Sequence, residues 1–411
     1  MKEAQFELTP EQQQQSVLWL STVSFTLMFA VWLMFGVLGV PIRKEFGLSD
    51  LQFAWLTALP VLNGAIWRLS FGLLADRFGG KKVLVALMLF TAIPTFLVSF
   101  VHSYPLLLLT AFLIGLAGNS FSVGVSWVSA WFSRDRQGLA LGIFGAGNVG
   151  ASVTKLIAPA LLAALPAAGV LGLVGWRVIP PVYSLLLIAF AAATWLYAPE
   201  TERTPGQGRP LSELLAPLRK LQVWRFSLYY VVVFGAYVAL SSWLPKYFVD
   251  TYGVPLTTAG LITALFIFPA SLLRPVGGWL SDRYGARGLM YATFVVMLAA
   301  CLGLGLLPLG LWAFTALLIV VGLAMGIGKA AVFRFVPTWY PREVGSVGGL
   351  VGALGALGGF FLPLMFAQVK SATHNPQSIF LVLAAFTLAS LAWLHGSVLQ
   401  IRRGKLVPAY D

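Results

Sequence analysis

Five basic residues lie inside long apolar runs of the sequence: Arg68, Lys155, Arg274, Lys329 and Arg334. An arginine at the centre of a lipid bilayer costs at least ~2.5 kcal/mol on insertion scales. All fourteen acidic residues lie outside these runs or at their ends, so no internal carboxylate is available to pair with the buried cations. The missing counter-charge is most simply supplied by a bound anion.

Arg68 and Arg274 occupy equivalent positions. Each precedes the aspartate of a polar Asp-Arg pair by eight residues, at Asp76 and Asp282. By helical rise this places each arginine about 12 Å inside the helix end, near the midplane of a ~30 Å hydrocarbon core. Two guanidinium groups facing each other would suit one small oxyanion; the alternative is that they bond backbone carbonyls and hold the helices together. Arg334 lies close enough to the surface for its side chain to extend there.

The elements that must position these residues are membrane-spanning helices. The chain has 411 residues, of which 59% are hydrophobic and 10% charged, whereas soluble domains carry about 25% charged residues. A span needs ~20 mostly apolar residues. Twelve such runs occur, approximately at 17–40, 52–75, 82–101, 106–132, 138–163, 176–198, 226–249, 257–281, 288–308, 311–336, 344–369 and 377–400. We therefore predict an all-α polytopic membrane protein with twelve transmembrane helices.

The distribution of positive charge predicts the orientation. Of the 27 Lys and Arg residues, 17 fall on segments that share a side with the two termini and five on the opposite loops. Because cytoplasmic loops are enriched in Lys and Arg, both termini are predicted to be cytoplasmic in a cell-membrane protein. This pattern accounts for the net charge of +13 without a nucleic-acid partner. The first 16 residues are polar and do not resemble a cleavable signal peptide.

The two halves of the sequence repeat each other. GLLADRFGGKK after the second span recurs as GWLSDRYGARG after the eighth, at an offset of 206 residues that also relates Arg68 to Arg274. We predict six-helix bundles at 1–198 and 226–411, joined by a proline-rich cytoplasmic linker at 199–225. Facing repeats with a site near the midplane are typical of secondary transporters. The loop residues are assigned to a cytoplasmic latch that anchors or gates the helix ends: Asp76, Arg77, Asp282 and Arg283.

Glycine-rich runs indicate a narrow central site. GLALGIFGAGNVGAS at 138–152 and GSVGGLVGALGALGGF at 345–360 carry glycine along one helix face, which permits close helix approach at a cost of ~1 kcal/mol per interior glycine. The lone cysteine, Cys301, provides no thiolate cluster, and the three histidines lie in loops or near span ends. We therefore expect no cofactor or metal, and the same observations argue against a membrane enzyme or redox subunit.

The Asp-Arg loops and the layout of six plus six spans resemble the major facilitator superfamily. A narrower resemblance, to the nitrate/nitrite porter family within it, rests on Arg68 after TALP, Arg274 in LLRPVGGWLSDRYG, and the runs FGAGNVGAS and GGLVGALGALGGF. It implies transport of nitrate or nitrite by alternating access, with the anion held between the two arginines. It also implies two aromatic faces and two hydrogen-bonding side chains around the anion: Phe121 and Phe234, and Tyr230 and Asn148.

Lys329, in GIGKAAVF, and Lys155, in SVTKLIAP, stand where many members of that family have uncharged residues. The segment around Lys329 resembles instead the branch that imports nitrate with protons. Because a nearby anion favours the charged form of a buried amine, anion and proton binding would be linked, and Lys329 and, secondarily, Lys155 become candidate proton carriers. Nitrate/nitrite exchange with both lysines as fixed charges remains an alternative, as does transport of phosphate or another small oxyanion. No feature requires an oligomer, so a monomer is expected.

Overall fold

The computed structural model describes residues 9–164, 172–200 and 203–403, and every element in these ranges is helical. The α-helices are α1 (Pro10–Trp32), α2 (Phe35–Phe46), α3 (Asp50–Ile66), α4 (Arg68–Phe78), α5 (Gly80–Leu97), α6 (Tyr104–Ile114), α7 (Ser120–Trp131), α8 (Gln137–Ala146), α9 (Gly150–Ala164), α10 (Ile179–Tyr197), α11 (Leu211–Leu215), α12 (Leu221–Tyr230), α13 (Ala236–Tyr252), α14 (Leu256–Leu272), α15 (Arg274–Tyr284), α16 (Ala286–Leu306), α17 (Leu311–Trp339), α18 (Val344–Thr373) and α19 (Ser378–Arg402). Within the described residues, eleven helical segments are long and apolar enough to cross a membrane, and the bent pair α3 and α4 is a twelfth candidate. The predicted all-helical polytopic fold is confirmed.

The two buried arginines each begin a helix directly after a break. Helix α3 ends at Ile66 and α4 begins at Arg68 with a bend of 41°, while α14 ends at Leu272 and α15 begins at Arg274. The intervening residues, Trp67 and Leu273, have nearly the same backbone angles, φ −88°, ψ −1° and φ −81°, ψ −2°, in the sparsely occupied bridge region. The sequence repeat is therefore also a repeat of the helix break that presents each arginine.

Glycine allows the two halves to touch backbone to backbone. Helix α4 meets α18 where a Cβ on Gly72 would lie 2.2 Å from the Gly345 carbonyl oxygen. Helix α15 meets α8 where a Cβ on Gly278 would lie 2.0 Å from the Gly138 oxygen. Both distances are far shorter than a van der Waals contact, so no side chain fits at either crossing.

The stretch predicted as the linker lies against the Asp-Arg loops and contacts both halves. The Gly206 amide donates to the Asp76 carbonyl oxygen at 3.0 Å, and Arg77 Nη2 donates to the Arg209 carbonyl oxygen at 2.9 Å. Arg209 Nη2 in turn lies 2.6 Å from Glu343 Oε1, between α17 and α18. The segment therefore bridges the last turn of α4 and the loop before α18.

Glu45, at the end of α2, fixes the opposite end of the N-terminal half. Arg177 Nη2 and Trp176 Nε1 each donate to its carboxylate at 2.6 Å. Burial raises the pKa of Glu45, but the hydrogen bonds from Arg177 and Trp176 outweigh burial and hold its pKa below the ordinary value. The resulting stabilisation is present above the unfolded pKa of ~4.3 and is lost as pH falls through the lower folded value.

We therefore expect the unfolding temperature of the native protein to fall more steeply between about pH 5 and pH 3 than that of Glu45→Gln. At pH 7 the variant should unfold about 1–2 °C lower, because the carboxylate is partly exposed and the pair is worth little. Thermal unfolding in detergent across this pH range tests the prediction, with Glu11→Gln on the exposed first turn of α1 as the control. Parallel curves for the native protein and Glu45→Gln would contradict it.

Candidate functional site

Arg68 and Arg274 are buried side chains that both lie close to one aromatic ring, that of Phe121. Their side chains are 0% and 1% exposed, and their guanidinium carbons lie 5.6 Å and 5.4 Å from the centroid of the Phe121 ring. Among the residues that the structure describes, no carboxylate pairs with either arginine. The structure thus brings the two predicted arginines together in a site without acidic side chains.

Arg68 makes three hydrogen bonds, all to backbone carbonyl oxygens. Its Nε donates to Gly64 at 3.0 Å, its Nη2 to Gly118 at 2.9 Å, and its Nη1 to Gly352 at 2.9 Å. Gly352 belongs to α18, so this last bond joins the N-terminal half to the C-terminal half. The Trp32 ring covers the guanidinium, with its centroid 5.3 Å from Cζ. The alternative considered from the sequence, an arginine that bonds carbonyls and links the halves, describes the contacts of Arg68 in this structure.

Arg274 differs from Arg68 because its buried donors are not satisfied. Its Nε and Nη1 have no hydrogen-bond partner, and its guanidinium packs against Gly145 of α8, where a Cβ would lie 2.4 Å from Cζ. A buried, unpaired donor on a charged group is costly, so Arg274 could gain from an additional hydrogen-bond acceptor.

Three further polar side chains are buried in the interior and are each 0% exposed: Tyr230, Asn148 and Lys329. Among the described residues, the Asn148 amide and the Lys329 ammonium have no hydrogen-bond partner, whereas the Tyr230 hydroxyl lies close to the Arg274 guanidinium. Lys329 Nζ lies 3.5 Å from the centroid of the Tyr237 ring and close enough to Arg274 for electrostatic interaction. Asn148 follows Gly145, which touches Arg274, by three residues. Several buried polar groups near Arg274 are therefore without a protein partner among the described residues.

Aromatic side chains form nearly parallel walls in the same region. The Phe121 and Phe234 rings are 11° from parallel, with centroids 6.4 Å apart, and Tyr230 stacks on Phe234 at 4.8 Å. Two nearly parallel rings are the arrangement that could cover the two faces of a flat group. Phe333 stands edge-on to Phe121 at 4.8 Å and 90°; sequence reasoning did not identify it.

A π-helical segment positions Tyr230 and Phe234. Residues Val231–Gly235 form this segment between α12 and α13, and such bulges are frequent at functional sites. The glycine-rich helix α18 makes room for it, since a Cβ on Gly355 would lie 2.3 Å from Tyr230 Cδ1. The glycine runs therefore act as packing surfaces for the site's own side chains.

Lys155 lies apart from this cluster. Its Nζ donates to the Ser241 carbonyl oxygen at 3.1 Å, so it joins α9 to α13, and it has no contact with Arg68, Arg274 or Lys329 among the described residues. Lys155 and Lys329, both predicted from the sequence to be candidate proton carriers, therefore lie in different surroundings.

The two latch aspartates each bind the start of a helix from the other half. Asp76 Oδ2 accepts from the Gly345 amide at 3.0 Å, and Asp282 accepts from the Gly138 and Leu139 amides at 3.1 Å and 2.8 Å. These amides begin α18 and α8, and a helix N-terminus favours a nearby negative charge. The repeat in the sequence produces two equivalent contacts that close this end of the molecule.

The neighbours of the aspartates were only partly anticipated. Arg334, expected to extend to the surface, instead lies 2.6 Å from Asp282 Oδ1, because the carboxylate is within reach on the adjacent α15. The Ser126 hydroxyl donates to Asp76. Arg77 contacts the linker, as described above, whereas Arg283 lies over Trp279 and Tyr284, two rings of its own helix.

Gly145→Ala tests the packing of Arg274. The added Cβ would overlap the guanidinium, which can move because it is the end of a flexible side chain, so the protein should fold while the site is distorted. We expect the apparent KM for uptake of the small oxyanion predicted from the sequence to rise at least about tenfold. Gly348→Ala is the control, since its Cβ would meet its neighbours at an ordinary 3.5 Å. Equal KM values for the two variants would contradict the assignment.

The fold and the family comparison define the class of this protein. Residues 20–363 match the model of the Major Facilitator Superfamily, and residues 248–406 match it a second time. The crystal structure of the human organic anion transporter MFSD10 superposes with a TM-score of 0.75, covering 93% of this chain and 99% of that one at 16% identity, which speaks for the fold alone. The protein is a transporter of this superfamily and not an enzyme.

Curated relatives define the family more narrowly. The chain is 58% identical over 407 residues to the "Probable nitrate/nitrite antiporter NarK1" of Thermus thermophilus, covering 94% of this chain and 92% of the relative. It is 32% identical over 380 residues to the "Nitrite extrusion protein" of Bacillus subtilis, covering 92% and 93%. The chain therefore belongs to the nitrate/nitrite porter family, and the family predicted from the sequence is confirmed.

Proposed function

We propose that the protein carries nitrate or nitrite across the cell membrane by alternating access, with the anion bound between Arg68 and Arg274. The observation that carries this proposal is the buried cluster of unsatisfied donors around Arg274, in surroundings without a carboxylate. A single small oxyanion would supply the acceptors that Arg274 and Lys329 lack. The functions in the names of the curated relatives agree with this proposal.

The aromatic walls favour a flat anion over a tetrahedral one. Nitrate and nitrite are planar and weakly hydrated, so the nearly parallel rings of Phe121 and Phe234 could cover both faces after a small separation. Phosphate has no flat face and would force the rings further apart.

Arg68 would reach the anion by exchanging at least one of its carbonyl contacts for an anion oxygen. Its bond to Gly352 is the one that also joins the two halves.

Transport requires the two halves to move relative to each other. We propose that the bundles 1–198 and 226–411 rock about the site, with both termini and the linker 199–225 on the cytoplasmic side. Opening of that side would require release of Asp76 from α18 and of Asp282 from α8. A bound anion would offset the mutual repulsion of the buried positive groups as the halves close around it.

We propose proton symport as the mode of transport, with Lys329 as the proton-carrying group. Its buried Nζ has no hydrogen-bond partner and lies near Arg274, so an anion bound there would stabilise the ammonium form directly. Lys155 is the less suitable carrier because its ammonium is occupied by the Ser241 carbonyl. Nitrate/nitrite exchange is the second candidate, favoured by the name of the relative that is 58% identical.

Uptake of labelled nitrate into proteoliposomes that contain the purified protein tests both modes. Symport predicts accumulation in empty vesicles when an inward proton gradient is imposed, and little accumulation without it. Exchange predicts uptake only into vesicles loaded with nitrite or nitrate, irrespective of the gradient. Absence of nitrate and nitrite uptake in every condition, with uptake of phosphate instead, would overturn the proposed substrate.

Asp282→Asn tests the latch. Loss of the carboxylate charge weakens the contacts to the start of α8 and to Arg334, so the cytoplasmic end should open more often. The reporter is Val125→Cys, a buried position that faces Gly348 of α18 between the halves. We expect maleimide to label it about tenfold faster in the Asp282→Asn background.

The native Cys301 is buried and adds little background. Asp135→Asn, which removes an exposed carboxylate from the loop after α7, is the matched control. An unchanged labelling rate in Asp282→Asn would show that the aspartate does not hold this end closed.

A further inference from the structure

A second basic pocket lies in the C-terminal half, at the same end of the molecule as the latch. It has a volume of about 340 Å³ and lies between α12, α17 and α19. Its wall includes Arg225, Gln222, Trp339, Trp393 and Ser397, and a narrow extension reaches Tyr229 and Arg287. None of the residues assigned above to anion transport lines it.

The pocket presents hydrogen-bond donors without acceptors. Arg225 is 9% exposed; its Nη1 donates to the Ser397 hydroxyl, but its Nε has no partner. The Gln222 Nε2 and the Tyr229 hydroxyl are likewise buried and unpartnered. Arg287 adds a second positive charge near Arg225, and among the described residues no carboxylate lines the pocket. This is the chemistry of an oxyanion site.

The pocket lies at the depth of lipid headgroups. Arg225 is the fifth residue of α12, about 6 Å from the start of that helix, and Trp339 is the last residue of α17. Trp339 and Trp393 flank the basic group, and tryptophan is enriched at the level where hydrocarbon meets headgroups. An oxyanion held here would therefore lie at the membrane surface.

An apolar groove adjoins the pocket and shares two of its helices, α12 and α19. It has a volume of about 440 Å³ and shares Trp393 with the pocket. Its wall is formed by α12, α18 and α19 and includes Trp224, Leu228, Leu357 and Phe361. Trp224 and Phe361 are 47% and 52% exposed, as expected for a surface that faces lipid chains.

We propose that this pocket and groove bind one anionic phospholipid. The phosphodiester accepts hydrogen bonds from Arg225, Gln222 and Tyr229, and an acyl chain lies in the groove beyond Trp393. Basic pockets between transmembrane helices on the cytoplasmic side are suited to anionic headgroups. The geometry therefore assigns the lipid to the C-terminal half, against the helix that leads to Tyr230 and Phe234.

Titration of the purified full-length protein with phosphatidylglycerol, followed by native mass spectrometry, tests the assignment. We expect the tightest lipid to bind about tenfold more weakly to Arg225→Gln, which loses the charged donor. Tyr229→Phe, which removes only an unpartnered hydroxyl and keeps the ring, should weaken binding about threefold. Arg225→Lys keeps the charge and should retain more affinity than Arg225→Gln.

Arg134→Gln, which removes an exposed arginine at the same end of the molecule, should bind phosphatidylglycerol as the native protein does. Phosphatidylcholine should bind the native protein at least about tenfold more weakly than phosphatidylglycerol, and millimolar inorganic phosphate should not displace the lipid. Equal phosphatidylglycerol affinity in the native protein, Arg225→Gln and Tyr229→Phe would overturn the proposal. Full displacement of the lipid by inorganic phosphate would show that the pocket binds a soluble phosphate and not a phospholipid.

Discussion

Arg274→Lys should reduce nitrate uptake at least about a hundredfold, equivalent to ~2.7 kcal/mol. Lysine keeps the positive charge but loses the planar fork of donors that grips an oxyanion, and it cannot supply both nitrogens, Nε and Nη1, that have no protein partner. No hydrogen bond from those atoms to the protein is lost, so the variant should fold and reach the membrane. Initial uptake rates in proteoliposomes at equal protein content measure the effect.

Arg68→Lys is the informative comparison. It should also strongly reduce uptake, but it removes three carbonyl contacts, one of them between the halves, so its unfolding temperature should fall as well. Arg134→Lys, at an exposed position, controls for the substitution itself. Uptake by Arg274→Lys above about a tenth of the native rate would remove Arg274 from the binding site.

Lys329→Gln should weaken nitrate accumulation driven by the proton gradient but leave nitrate/nitrite exchange intact. The variant loses the group proposed to carry the proton while the arginines keep their positions, so gradient-driven accumulation into empty vesicles should fall at least about tenfold. Exchange between nitrate outside and nitrite inside should continue, because exchange needs no net proton movement. Comparison of the two assays on the same vesicle preparation measures the separation.

Lys155→Gln is the matched control for Lys329→Gln. Its ammonium joins α9 to the Ser241 carbonyl of α13, so its loss should change gradient-driven uptake and exchange by the same factor. If Lys329→Gln accumulates nitrate as the native protein does, Lys329 is not the proton carrier. Equal loss of both activities in Lys329→Gln would show that Lys329 acts as a fixed positive charge of the site.

Much of the arrangement could be predicted because the sequence is a repeat. Equivalent arginines eight residues before equivalent aspartates fix equivalent depths, whatever the exact helix bounds. The glycine runs likewise predict close helix approach, which the structure shows at Gly138, Gly145 and Gly345. Apolar length and composition are sufficient to predict the spanning helices.

The difference between the two arginines could not be predicted from the sequence. Which carbonyl oxygens reach Arg68 depends on the short 3₁₀ segment Gly115–Asn119 and on how closely α18 approaches, and neither follows from a pattern of residue types. Arg334 was assigned to the surface by its position along one helix, whereas its partner, Asp282, lies on another. Phe333 is one of many apolar residues in α17, and only tertiary contact distinguishes it.

The latch also has a consequence for how transport responds to temperature. Its contacts are carboxylate-to-amide hydrogen bonds and glycine backbone touching backbone at Gly72–Gly345 and Gly278–Gly138, with no methyl groups between them. Opening such a contact hydrates polar rather than apolar surface, and it is apolar hydration that produces a large positive heat-capacity change. The latch should therefore add little curvature to a van't Hoff plot of the opening equilibrium. Its contribution to the free energy of opening should change almost linearly with temperature from cold to warm growth conditions.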